Sequence, residues 1–324
     1  MLKNIKKTFS PMPDILREAQ QGTQMRHNTF VVGLIAFGIM LAAIFSSGIV
    51  AMPYMMVKAF LAGFQSAATG EEINFDLKGE ESMILQLFAT GAATVVMLLY
   101  VKFAEKRPLR TMGFVKKRAV TDYLLGMVIA FVMFSACIGM CVATGAMEFN
   151  GYVLNGRYIS LALLFVGFII QGMSEEVICR GFMMTSFGSK AGAFAGMLFN
   201  SLVFGALHLN NAGIAPLAEV NLILFGVFMS VMVLKLNSIW MVCAIHSIWN
   251  FVQGNFYGVL VSGSGFGSSV FSFKSVEGFE FINGGSFGME GGIATTIVLT
   301  VAIIITLCIK PRSGNTQEVQ TSVA

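Results

Sequence analysis

YISLALLFVGFIIQGMSEEVICR, residues 158–180, is the stretch that decides the fold class. A run of nearly twenty apolar residues ends in two adjacent glutamates, with Arg180 four positions after Glu176. About 20 such residues are needed for a helix to cross roughly 30 Å of hydrocarbon. A charged side chain held at that depth costs about 2.5 kcal/mol or more, so a chain that keeps three of them there usually uses them. The stretch therefore reads as a membrane-spanning helix with an ionisable site inside it.

Working outward, the rest of the chain has the same character. Of 324 residues, 56% are hydrophobic and 12% charged. Apolar runs fall at about 29–50, 83–101, 121–147, 158–178, 191–209, 217–234, 238–260 and 292–309. The expected fold is all-α, a polytopic integral membrane protein with about eight transmembrane helices. No connecting segment is long and apolar enough to build a water-soluble core. Five parts follow: a basic cytoplasmic segment (1–28), the first two transmembrane helices with a basic loop (29–119), a membrane core (120–262), a Gly-rich extracytoplasmic loop (263–291), and a last transmembrane helix with a cytoplasmic tail (292–324). The first apolar run follows a polar lead of 28 residues and suits an uncleaved span better than a secretory leader. Cys137, Cys141, Cys179, Cys243 and Cys308 lie in or against apolar runs, as small buried hydrophobes do.

Lysine and arginine set the expected orientation. Lys3, Lys6, Lys7, Arg17 and Arg26 precede the first run, and Lys102 to Arg118 holds seven more basic residues. The first loop instead holds Glu71, Glu72, Asp76, Glu80 and Glu81 against Lys58 and Lys78. Basic loops stay in the cytoplasm, so both termini are expected inside, in the cell membrane. The net charge of +4 is explained by this topology and calls for no nucleic-acid partner. Gly188, Gly192 and Gly196, four apart, are expected to form a small-residue stripe for close helix packing. The Phe- and Gly-rich 263–292 segment reads either as a lid or as an ordinary loop.

Spacing separates the charged residues by role. Glu176 and Arg180 share a helix face in the favourable order. Glu175 is turned about 100° away, free to face a cavity. His208 is expected to share a face with Phe204 and Asn200, and His246 one with Asn250. The alternative, in which the charges of 175–180 merely snorkel at a helix end, leaves both histidines unexplained. These residue types suit hydrolysis: a carboxylate takes a proton from water, an imidazole orients that water, and a His-Asn pair donates to an oxyanion.

The set EExxxR (Glu175, Glu176, Arg180), FxxxH (Phe204, His208) and HxxxN (His246, Asn250), in this order on successive apolar helices, resembles the CPBP family. These are CAAX prenyl proteases and bacteriocin-processing enzymes, also called the Abi family, and the resemblance covers about residues 120–255. The run Gly284 to Gly291 also resembles a segment that often precedes the last helix in bacterial members. The resemblance implies an intramembrane endopeptidase in which Glu175 and His208 activate water, His246 and Asn250 stabilise the oxyanion, and Glu176, Arg180 and Phe204 support them. The implied partners are membrane lipids and a hydrophobic or lipidated peptide, of CAAX type or a bacteriocin or leader peptide.

Glu175, His208 and His246 would be the ligands if a zinc ion took part, but no HExxH spacing is present and Glu175 would then be lost as a base. A mechanism without a cofactor is the expectation. At 1.5 Å per residue, straight upright helices would leave the motif residues at different depths, so tilt or a kink must bring them together. The competing function is a non-catalytic bacteriocin self-immunity or peptide-binding membrane protein. A transporter finds less support, since no inverted repeat is apparent.

Overall fold

The computed structural model describes residues 2–10, 12–24, 27–70, 79–154 and 156–312. Arg26, Glu71, Glu72, Asp76, Lys78 and the 313–324 tail, all used in the orientation or domain argument, lie outside the described residues, as does the side chain of Lys3. The protein is a helical bundle: α1 (Leu2–Phe9), α2 (Asp14–Gly22), α3 (Thr29–Thr69), α4 (Glu80–Ala89), α5 (Gly91–Leu99), α6 (Ala119–Ala143), α7 (Tyr158–Glu176), α8 (Thr185–Ala191), α9 (Ala193–Ala206), α10 (Pro216–Leu236), α11 (Trp240–Phe251), α12 (Glu280–Asn283) and α13 (Ile293–Cys308). Two short strands, β1 (Met147–Tyr152) and β2 (Phe271–Ser275), pair antiparallel, with a bulge between Phe149 and Gly151.

Among the described residues, five helical segments are long and apolar enough to cross a membrane: Thr29–Thr69, Glu80–Ala104, Ala119–Ala143, Tyr158–Ala191 and Pro216–Leu236. The protein is thus a multi-pass membrane protein. The other three expected spans are shorter, with 14 residues in α9, 12 in α11 and 16 in α13. A π-helical turn, Val252–Phe256, prolongs α11. In the other direction, α3 runs on to Thr69 instead of stopping near residue 50. The Asn28 side chain caps its start by accepting from Val31 N at 2.9 Å, and only Gly70, at φ 72°, ends it. Its 41 residues make a rod of about 60 Å at 1.5 Å per residue, well beyond the hydrocarbon thickness.

The glycine stripe divides differently from the expectation. Gly192 has φ 92° and is the turn between α8 and α9. Gly188 and Gly196 therefore face each other across a helical hairpin, where a Cβ on Gly196 would lie 2.7 Å from Gly188 Cα. The stripe closes that hairpin and does not run along one helix.

Helix α11 is the axis of the fold, buried at every position from Met241 to Asn250. Two glycines let its neighbours approach. A Cβ at Gly126 of α6 would meet Met241 O at 2.5 Å, and one at Gly172 of α7 would meet Ser247 N at 2.6 Å. The Gly172 contact sets the crossing that brings the end of α7 beside His246.

The bundle has two chemically different ends. At one, α2 ties two turns together: Ile15 N donates to Asn237 Oδ1 at 3.0 Å, and Gln20 Nε2 to Ser189 O at 2.9 Å. Beside it lies the buried Arg107–Glu105 ion pair, which also bonds Ser186. At the other end, the 257–292 segment folds down on the helices. Ser268 N donates to Glu80 Oε2 at 2.7 Å, Asn283 Nδ2 donates to Ala146 O at 2.9 Å, and Phe287 is fully buried. Cys137, Cys141, Cys179 and Cys243 are buried as thiols, whereas Cys308 is exposed at the end of α13.

Candidate active site

Helix α7 passes directly into a π-helical turn, Val177–Met184, just after its two glutamates. Such turns are rare and cluster at functional sites, because the extra residue redirects the side chains on either side. Here the turn carries Arg180, whose Nη1 donates to Glu176 Oε1 at 2.8 Å with both side chains fully buried. The pair is therefore internal, and the snorkelling alternative does not describe it. Nε and Nη2 of Arg180 have no acceptor, and the guanidinium lies instead over the Phe204 ring, 4.8 Å from its centroid. The motif phenylalanine thus covers the motif arginine.

His246 sits between the two carboxylates. Its Nδ1 donates to Glu176 Oε1 at 2.8 Å, and its Nε2 lies 3.6 Å from Glu175 Oε2. Adjacent glutamates on one helix are thereby divided by environment. Glu176, with no exposure, is committed to Arg180 and His246. Glu175 is 30% exposed and turns the other way. Its Oε1 accepts from Gln171 Nε2, one turn earlier, and Gln171 Oε1 accepts from Asn250 Nδ2 at 3.0 Å. Gln171 therefore links the EExxxR and HxxxN motifs. The three motifs do not include it, although a lone amide one turn before Glu175 in an apolar span is a signal of its place in the site.

His208 does not lie on its helix as expected. Helix α9 ends at Ala206, and His208 occupies the following turn, its backbone N bonded to Gly205 O at 2.8 Å. The side chain keeps the link to the motif phenylalanine, since Nδ1 bonds the Phe204 carbonyl at 2.7 Å. A carbonyl only accepts, so Nδ1 carries the proton and Nε2 is left as an acceptor.

Glu175, His208, His246 and Asn250 all line one cavity of about 190 Å³. Its opposite wall carries Ser262, Thr295 and Glu290, the last a second residue that sequence reasoning did not place in the site. Glu290 Oε2 accepts from Ser262 N at 2.6 Å, Ser262 Oγ at 3.0 Å and Gln253 Nε2 at 3.1 Å. Burial nevertheless pushes its carboxyl above the usual range. Its contacts come from Gln253 in the α11 extension and from Ser262 in the loop beyond, 37 and 28 positions away in sequence, which no local spacing reveals.

The donors do not fit a zinc site as arranged. Tetrahedral zinc needs three protein ligands within about 2.0–2.3 Å of one point. Among the described residues no three His, Cys, Asp or Glu side chains converge on such a point. His246 has a carboxylate at each nitrogen, and His208 has one nitrogen bonded to backbone.

No curated protein matches the chain. Residues 157–252 match the family model described as type II CAAX prenyl endopeptidase Rce1-like. That stretch runs from the start of α7 to the end of α11 and includes all three motifs and Gln171. That family is one of proteases acting within membranes, and over residues 157–252 the match supports the CPBP resemblance carried by the three motifs.

Proposed function

We propose that the protein hydrolyses an internal peptide bond of a hydrophobic or lipidated membrane-associated peptide, with Glu175 as the base. One observation carries this reading above the rest. Of two neighbouring carboxylates, Glu176 is fully buried and gives its Oε1 to both Arg180 and His246, while Glu175 is 30% exposed and faces the cavity that His208 also lines.

In this mechanism a water in the cavity bonds Glu175 and His208 Nε2. Glu175 takes its proton as the oxygen adds to the scissile carbonyl carbon. Negative charge then gathers on the former carbonyl oxygen, where fixed donors act most strongly. Two are at hand: Asn250 has a second amide N–H beyond the one given to Gln171, and His246 in its imidazolium form has an Nε2–H. As the C–N bond breaks, the proton held by Glu175 passes to the leaving amine, which restores the carboxylate. Gln171 acts as a positioning residue, holding Glu175 and Asn250 at once. No step requires a metal, in keeping with the donor arrangement.

The test is a comparison of cells producing the wild type with cells producing Glu175→Gln. Peptides that are cut in the first should accumulate uncut in the second, read by mass spectrometry. Identical peptide populations would remove the hydrolytic reading.

A further inference from the structure

We propose that a cleft at the α2 end of the bundle holds the phosphate headgroup of an anionic membrane lipid. The inference is independent of the hydrolytic reading, since none of the residues lining the cleft lines the catalytic cavity. The cleft encloses about 770 Å³, within the roughly 300–1,000 Å³ of sites that take small ligands.

Its charge is one-sided. Six basic side chains line it against two carboxylates, and both carboxylates are already taken. Glu18 Oε2 lies 3.3 Å from Arg110 Nε, and Asp122 Oδ2 accepts from Arg312 Nη1 at 2.6 Å. Lys116, Lys117, Arg118 and Lys310 are left exposed, with no carboxylate partner among the described residues.

The walls are also fixed in place. Asn237 accepts from Ile15 N at 3.0 Å and donates to Arg312 O at 2.7 Å, which ties three of the lining segments together. The fourth is held by Trp240 Nε1, which donates to Val115 O at 2.9 Å, and by Ile239 N, which donates to Gly113 O at 3.0 Å. Arg118 sits at φ 64°, a left-handed conformation disfavoured for any side chain with a β-carbon. Basic residues that served only to orient the chain in the membrane would need no such framework, because any exposed loop near a span meets that requirement.

The depth of the cleft selects a lipid over a free phosphate. Val120, Leu124 and Val128 are exposed along one stripe of α6 that starts two residues after Arg118. On α13, Ile305 and Ile309 are exposed and end next to Lys310. In a membrane protein such stripes face acyl chains, so an anion in the cleft lies at headgroup depth with hydrocarbon-facing surface running away from it on two helices. Basic pockets between membrane helices take phosphate headgroups in this way, with arginine as a bidentate donor and lysine as a point charge.

Native mass spectrometry of the purified protein in detergent, titrated with phosphatidylglycerol or with phosphatidylcholine of the same acyl chains, tests the assignment. Two double variants lie in the cleft: Lys117→Gln with Lys310→Gln, and Lys116→Gln with Arg118→Asn. A third, Lys102→Gln with Lys106→Gln, removes the same charge from the same basic loop outside the cleft. We expect the wild type and the third variant to prefer phosphatidylglycerol. Each cleft variant should bind it about 30-fold more weakly, at about fivefold per cation lost, with phosphatidylcholine binding unchanged. Detergent unfolding midpoints identify any variant that fails to fold, and either cleft pair suffices alone. Equal weakening in all three variants overturns the proposal, because diffuse loop charge then explains the binding. So does a cleft variant that binds phosphatidylglycerol as tightly as the wild type, or a wild type with no preference for it. Displacement of the lipid by millimolar glycerol 3-phosphate or inorganic phosphate also overturns it, by assigning the cleft to a soluble phosphate.

Discussion

Replacing Arg180 with methionine and Glu176 with glutamine, singly and together, probes the buried centre that holds the site in place. The two side chains are bonded at 2.8 Å with no solvent exposure. Breaking a buried pair from one side strands the other charge and costs about 3–5 kcal/mol. Arg180→Met strands Glu176, which keeps only the His246 bond. It also removes the cation from the Phe204 face, a contact worth up to about 2 kcal/mol when desolvated. Methionine retains much of the apolar stem, so the expected loss is about 4 kcal/mol, mostly from the stranded carboxylate. Glu176→Gln strands Arg180 and is expected to cost about 3 kcal/mol. The double variant strands neither charge. Its loss should fall short of the sum by about 3 kcal/mol, the upper end for residues in direct contact. Detergent unfolding followed by helical circular dichroism measures all three. Additivity within about 0.5 kcal/mol would show that the pair is not the buried, mutually dependent unit described above.

Other consequences are equally direct. Gly172→Ala drives a Cβ to 2.6 Å from Ser247 N and Oγ, so the same unfolding assay should show a loss of about 1–3 kcal/mol. Gly139→Ala, with nothing within 4 Å of its Cβ, should be neutral or gain up to about 1 kcal/mol from helix propensity; equal effects at the two glycines would refute the helix-crossing argument. Asn250→Ala should lower turnover by a factor on the order of 100 to 1,000 with peptide affinity little changed. Asn250→Asp should be worse, because a carboxylate there has no donor for the oxyanion and faces Gln171 Oε1; single-turnover cleavage as fast as wild type in the Asp variant would take Asn250 out of that role. Purified protein should keep its activity after exhaustive chelation, and loss of activity that added zinc restores would reinstate the metal alternative.

What the sequence revealed and what it concealed have physical causes. Glu176 and Arg180 pair as their spacing implied, because both lie on one continuous helical path and neighbours four apart meet whatever surrounds them. The bond from Glu176 to His246 spans 70 positions and depends on how α7 crosses α11. That crossing depends in turn on Gly172, whose lack of a side chain carries no periodic signal. The apolar neighbours of His208 imply a helical position, yet the backbone after Ala206 turns away while preserving the Phe204–His208 link. Apolar runs overstate helix length at α9, α11 and α13, whereas α3 exceeds its expected span because it continues through Pro53 as far as Gly70, well past the length one crossing needs. Glu290 stayed hidden because its partners Ser262 and Gln253 reach it only once the last loop folds back.

The central claim is that Glu175, and not its neighbour, activates water. Peptides recovered uncut from Glu175→Gln cells, incubated with excess purified wild type or Glu175→Gln protein in detergent, give single-turnover rates with binding already complete. The wild type should cleave them at least about 100-fold faster, the scale on which removal of a general base acts, while both proteins unfold at the same detergent midpoint. Equal cleavage rates in the two proteins would contradict the account.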